Sequence, residues 1–170
     1  MVYQILAESL PPVQECAGSV AFTVAKAAFT RRDDGIESIL EVAVIPDRDA
    51  ELRRLTLRND SDAPRRIEVT TYLEAVLNHR DADTAHPAFS KLFVQTEWCA
   101  PERALLARRR PRGGDEAPRW MFHWIGENAP EAVSFESDRA RFLGRGRTAA
   151  APRALLSTQP LSGTDRKSVV

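Results

Sequence analysis

The sequence predicts an all-β protein, an antiparallel β-sandwich. Three observations carry that expectation. The dominant hydrophobic period is two, the signature of strands with one buried and one wetter face. Runs of turn-forming residues separate the alternating segments at short intervals. No window of 12 residues shows a clean helical stripe, so the strands have no crossover helices between them.

The elements follow in order. Met1–Leu10 is assigned one short helix. About eight strands are expected, near residues 19–29, 36–45, 51–58, 66–77, 89–97, 104–110, 119–125 and 132–137. In the second, Leu40, Val42 and Val44 alternate with Ile39, Glu41 and Ala43. In the fourth, Ile67, Val69, Thr71 and Leu73 alternate with Arg66, Glu68, Thr70 and Tyr72. In the seventh, Trp120, Phe122 and Trp124 alternate with Met121, His123 and Ile125. The Pro46–Ala50, Asn59–Pro64 and Pro111–Pro118 segments supply the turn chemistry between runs. The longest loop, Asn78–Pro87, is polar and holds two of the three histidines.

Composition narrows the function classes. The 170 residues include 24 Lys+Arg and 24 Asp+Glu, for a formal net charge of zero. That balance argues against a dedicated nucleic-acid binder, which usually carries a basic excess. Hydrophobic residues make up 43%, enough for a globular core. No apolar run approaches the roughly 20 residues of a membrane span. No signal peptide is visible either, and a cytoplasmic location is expected. Cys16 and Cys99 read as two unpaired thiols in a reducing compartment. The polar hexapeptide Asp165–Val170 resembles translated read-through of a sequencing adapter and is expected to be non-native. The expected organisation is therefore an N-terminal segment over 1–17, a sandwich domain over 18–164 and a tail over 165–170.

Several constellations bear on chemistry. His79, Asp81, Asp83 and His86 share one loop, but their spacing fits no standard metal motif, and no metal or cofactor is expected. No Gly-x-Ser-x-Gly turn is present to activate a serine nucleophile. Trp98, Trp120 and Trp124 have the chemistry of a sugar-stacking platform, because aromatic faces take the apolar C–H surface of a sugar ring. Trp120, Phe122 and Trp124 also fit a sandwich core face, which is the reading preferred here; Trp98, at a strand end, is the more exposed candidate. The run Arg108–Arg112 reads as a solvated hairpin rim.

The densest polar segment is Phe135–Thr148. Arg139 and Arg141, then Arg145 and Arg147, form two pairs at two-residue offsets, with Glu136 and Asp138 ahead of them. As a strand, the segment would point Arg139 and Arg141 the same way. Gly144 and Gly146 permit backbone that other residues resist. Guanidinium forks suit carboxylate or phosphate recognition, or an interdomain ion-pair network.

These residues also carry a resemblance. Glu136–Thr148 is similar to the "ETDR-x-x-F-x-GRG" stretch of the N-terminal domain of glycoside hydrolase family 94, formerly grouped as glycosyltransferase family 36. Leu55–Asn59 with Arg65–Glu74 resembles "L-R-L-x-N … R-R-x-x-V-T-x-Y-x-E". His86–Glu97 resembles "HPAFS-x-LFVQTE", and Pro160–Thr164 resembles "PLS-x-T". The likeness is collinear over about residues 34–164 and points to the phosphorylase-like region of cyclic β-1,2-glucan synthases.

The resemblance implies a galactose-mutarotase-like supersandwich, followed in the family by a helical linker and an (α/α)6 barrel that supplies the general acid and the phosphate site. This chain stops before both, so no catalytic residue is assigned and the fragment is expected to be inactive alone. It also implies a parent anchored in the bacterial inner membrane through segments absent here. Inverting phosphorolysis needs a protonated carboxylic acid. Glu136 and Asp138 lie beside arginines in the sequence, which favour the ionised form. The implied role is therefore support for the barrel and its glucan-binding cleft. The implied partners are that barrel and, through the full-length enzyme, a β-glucan or other oligosaccharide. Arg139, Arg141, Arg145, Arg147 and Asp138 are the expected docking surface, with Trp98 and His86 as secondary candidates near substrate. Replacing Arg139 and Arg141 by alanine is expected to weaken association with the barrel. A free-standing carbohydrate-binding module is the rival reading, separable by glucan binding to the isolated chain. An autonomous mutarotase-like enzyme is a further rival, and it would need a histidine and a carboxylate converging in a cleft.

Overall fold

The computed structural model describes residues 18–111, 113–114, 116–126, 133–157 and 159–163. They divide between Val69 and Thr70 into two compact units. Each unit holds one antiparallel sheet, and the all-β expectation stands.

The first unit is a four-stranded meander of β1 (Gly18–Phe22), β2 (Ala27–Asp33), β3 (Ile36–Val44) and β4 (Glu51–Asn59). Its alternation has a direct physical outcome. Phe29, Leu40 and Leu55 lie opposite one another across β2, β3 and β4 and share one face. The other face is a lattice of charge. Glu41 pairs with Lys26 and with Arg54 directly across the ladder, while Glu37 sits 3.6 Å from Arg58 and 2.7 Å from Arg32. Such cross-strand pairs contribute about 0.2–1 kcal/mol each and fix register more than stability. The β2–β3 hairpin closes on Asp34-Gly35, with φ of +46° and +75°. That is the left-handed pair a two-residue hairpin needs.

The expected strand over 19–29 is two strands. Thr23 Oγ1 accepts the Lys26 amide at 3.1 Å, and the Thr23 amide donates to the Lys26 carbonyl at 2.9 Å. A tight turn therefore forms without glycine or proline to announce it.

The second unit holds the sheet β5 (Val94–Cys99), β6 (Ala104–Arg109) and β7 (Arg119–Trp124). Three short helices lie in the same unit: α1 (Arg80–Ala85), α2 (Pro87–Lys91) and α3 (Arg139–Leu143). A 3-10 turn spans Arg153–Leu156. These helices correct the expectation of loops and strands alone. The stretch 66–77 belongs to neither sheet, and residues 133–137 form no strand. The latter are held instead by the Gly163 amide on the Phe135 carbonyl at 2.8 Å and the Leu161 amide on Ser134 Oγ at 3.1 Å. The helix expected over Met1–Leu10, Cys16 and the tail over 165–170 lie outside the described residues. Cys99 is a free thiol.

The two faces of this second sheet differ. Trp98, Ala107 and Arg109 belong to the covered face: Trp98 stacks on Phe135 at 4.6 Å, and Thr96 Oγ1 meets Ser137 Oγ at 2.9 Å. Arg109 is 2% exposed, its Nη1 donates to the Ser90 carbonyl at 3.0 Å, and its guanidinium lies over Phe93 at 5.1 Å. The basic run is thus not a uniformly solvated rim. Strand alternation sends Arg108 outward and Arg109 inward, and Arg110 closes over Phe93 at 5.7 Å.

Candidate functional site

The Arg139–Arg147 segment is built from its helix start. Asp138 is the N-cap of α3, and its Oδ1 accepts the Ala140 and Arg141 amides at 2.8 and 3.2 Å. An N-cap carboxylate satisfies donors that the first helical turn leaves unpaired. Glu136 in turn accepts the Asp138 amide at 2.8 Å through Oε1, and Ser162 through Oε2. Glu136 and Asp138 therefore hold backbone and hydroxyl donors; neither makes an ion pair with an arginine among the described residues. One face of α3 buries Phe142 and Leu143, and Tyr72 stacks on Phe142 at 5.2 Å and 19°.

The helix ends at Gly144, whose φ is +81°. A Cβ there would sit 2.7 Å from Arg153 Cβ, so both the backbone angle and the space demand glycine. Beyond it the chain turns through Gly146 and leaves Arg145 and Arg147 exposed. Arg147 Nη1 donates to the Ala151 carbonyl at 3.2 Å.

Arg139 has a different job. Its Nε donates to Glu74 Oε1 at 2.9 Å, the Tyr72 hydroxyl donates to the same oxygen at 2.7 Å, and Lys91 Nζ takes Glu74 Oε2. Burial pushes the Glu74 carboxyl up, but the hydrogen bonds from Lys91, Tyr72 and Arg139 outweigh it and hold the group at about 2. Burial, and then the bond to Glu74, pushes the Tyr72 phenol up to about 12. Glu74 is a permanently charged tie, the opposite of a general acid. Reading the sequence missed this knot; the only available signal was that its four members sit inside the matching motifs.

The remaining candidates do not join this group. His86 is exposed at the junction of α1 and α2, and no hydrogen bond or ring contact links it to Trp98 among the described residues. Among the described residues no cluster of three or more His, Cys, Asp or Glu could hold a metal. Trp98 is half-buried against Phe135, whereas Trp120, Phe122 and Trp124 are 57%, 65% and 51% exposed. This reverses the expected order: the alternating aromatics are not core, and Trp98 is not the open one. The reason is that residues 133–137 cover the Trp98 face of the sheet.

The family described as glycosyl hydrolase 94, supersandwich domain, matches residues 5–169. The chain belongs to this family. It is also 39% identical over 142 residues to the cyclic beta-(1,2)-glucan synthase NdvB of Rhizobium meliloti (strain 1021), a match that covers 82% of this chain. The same match covers 5% of the synthase, so the chain spans a small part of that relative. No helix among the described residues is long and apolar enough to cross a membrane.

Proposed function

We propose that this supersandwich is a supporting layer of a glucan-processing enzyme, of the cyclic β-1,2-glucan synthase or glycoside phosphorylase kind. It docks a catalytic barrel through the Arg139–Arg147 segment and helps shape the barrel's glucan cleft. The observation that carries this reading is the exposed set of guanidiniums on a rigid mount. Asp138 caps the helix, Phe142 and Leu143 anchor it, and Gly144 fixes the turn, so the arginines are presented at defined positions. Planar guanidinium forks on a preset frame suit carboxylates on an opposing protein surface. The carboxylates nearby are all committed to structural bonds, which favours a supporting role over a catalytic one.

The test is association of this chain with the barrel of the parent enzyme supplied in trans. Arg139→Ala is a poor probe, because Arg139 also ties Glu74. The variant Arg141→Ala with Arg145→Ala spares that tie and is expected to weaken association about tenfold. Unchanged association overturns the reading. The exposed aromatics of β7 favour a second reading, a free-standing carbohydrate-binding module. In that case glucan binds and the barrel does not.

A further inference from the structure

The face of the β5–β7 sheet opposite Trp98 carries the exposed aromatics of β7. Its register is fixed by the ladder: Gln95 lies opposite Arg108, which lies opposite Trp120, and Glu97 lies opposite Leu106, which lies opposite Phe122. Trp120, Phe122 and Trp124 therefore stand in a row on one face, about 6.6–6.8 Å apart along the strand. A cleft of about 160 Å³ opens at the Trp120 end, lined by Gln95, Thr96, Glu97, Leu106, Arg108 and Trp120. Arg108 lies 5.6 Å over the indole, and its Nε donates to Gln95 Oε1 at 2.7 Å. Both interactions hold the guanidinium in place and leave its Nη donors without a partner among the described residues.

We propose that this face is a saccharide-binding surface, with Trp120 as its stacking platform and Arg108, Gln95 and Glu97 as its polar rim, taking a β-linked glucose oligosaccharide. The choice of sugar rests on the glucan-processing reading; the choice of occupant class rests on chemistry. An exposed indole offers a flat apolar surface to the C–H face of a sugar ring. A rim of guanidinium, amide and carboxylate supplies donors and acceptors at the ring's edge, where hydroxyls point. The rim's one positive and one negative side chain balance, which matches a neutral polyol rather than an anion or a cation. A protein segment covering the same face would bury Arg108 and Glu97, and that desolvation costs more than a polyol asks. The row of rings along β7 extends the platform to a chain of sugars rather than a single one.

The experiment is a fluorescence titration of the full 170-residue chain with a linear β-1,2-glucan oligosaccharide. A saturable change is expected. Trp120→Ala should weaken the apparent Kd about tenfold, Trp120→Phe should retain most of the affinity, and Trp98→Phe should leave it unchanged. If Trp120→Ala fails to fold, Arg108→Gln reads the same site and should weaken binding several-fold. The proposal is overturned by the lack of a saturable response, or by binding indifferent to both Trp120 and Arg108. It is equally overturned if Trp120 in the full-length enzyme is shielded from acrylamide before sugar is added, because the face is then a protein interface. Barrel association measured on the same samples separates the two readings. Association without a sugar response removes this surface alone, and loss of association removes the supporting-layer reading.

Discussion

Arg139 Nε donates to Glu74 Oε1 at 2.9 Å across 65 positions of sequence. The bond joins the start of α3 to the segment that carries Tyr72, and Tyr72 stacks on Phe142 of the same helix. A polar tie and an aromatic stack thus hold one short helix from two sides. A five-residue helix has little stability of its own, so these tertiary contacts decide whether it forms.

Glu74→Gln should lower stability by about 1–2 kcal/mol at pH 7, since three donors lose their anionic acceptor. The figure stays below the full shift because the carboxylate remains 30% exposed to screening solvent. The sign follows from the lowered pKa. The stabilisation is present above the ordinary value of 4.5 and fades as pH falls through about 2. Urea titrations of both proteins across that window should converge in acid. A constant difference would mean that the charge is irrelevant.

Asp138→Ala should cost about 1 kcal/mol through the lost cap, and Asp138→Ser should recover most of it. Thermal unfolding reads both. Equal losses would show that the carboxylate acts otherwise than as a cap.

Gly144→Ala and Gly146→Ala should separate clearly. Both positions have positive φ, but only at 144 does a Cβ collide, 2.7 Å from Arg153 Cβ. Gly146→Ala should cost about 1 kcal/mol from backbone alone, and Gly144→Ala markedly more. Matching effects would mean that the crowding at 144 relaxes freely.

Trp98→Ala should destabilise by about 2 kcal/mol through the lost stack on Phe135, whereas Trp120→Ala should cost less than about 1. Chemical denaturation of the two variants orders them. The reverse order would restore Trp120 to the core.

The strands β3 and β4 were legible from their two-residue period, and the ladder sets Glu37 opposite Arg58 and Glu41 opposite Arg54. The β1–β2 turn was hidden, since it is closed by the Thr23 hydroxyl accepting the Lys26 amide and contains no glycine or proline. Residues 66–77 alternate as cleanly as any strand yet join no sheet. Alternation reports a two-sided segment, and a ladder also needs a neighbour. Arg139–Leu143 gave a two-residue offset of arginines that suits a strand, but Asp138 ahead of it is an N-cap signal, and the cap prevails. Which tryptophan lies open could not be read from β5 or β7 alone. It depends on residues 133–137, some 40 positions downstream of Trp98, covering one face of the sheet. Arg139, Arg141, Arg145 and Arg147 are all exposed along α3 and the turn that follows it. That Arg139 is tied to Glu74 while its side chain stays 58% exposed required the position of Glu74, which lies 65 residues earlier in the chain.

The most direct test of the supporting-layer account is amide hydrogen exchange over residues 139–148, with and without the parent enzyme's barrel. The account predicts that adding the barrel slows exchange across this stretch, and that Arg141→Ala with Arg145→Ala abolishes the slowing. Unchanged exchange over 139–148 while the barrel is bound would contradict it.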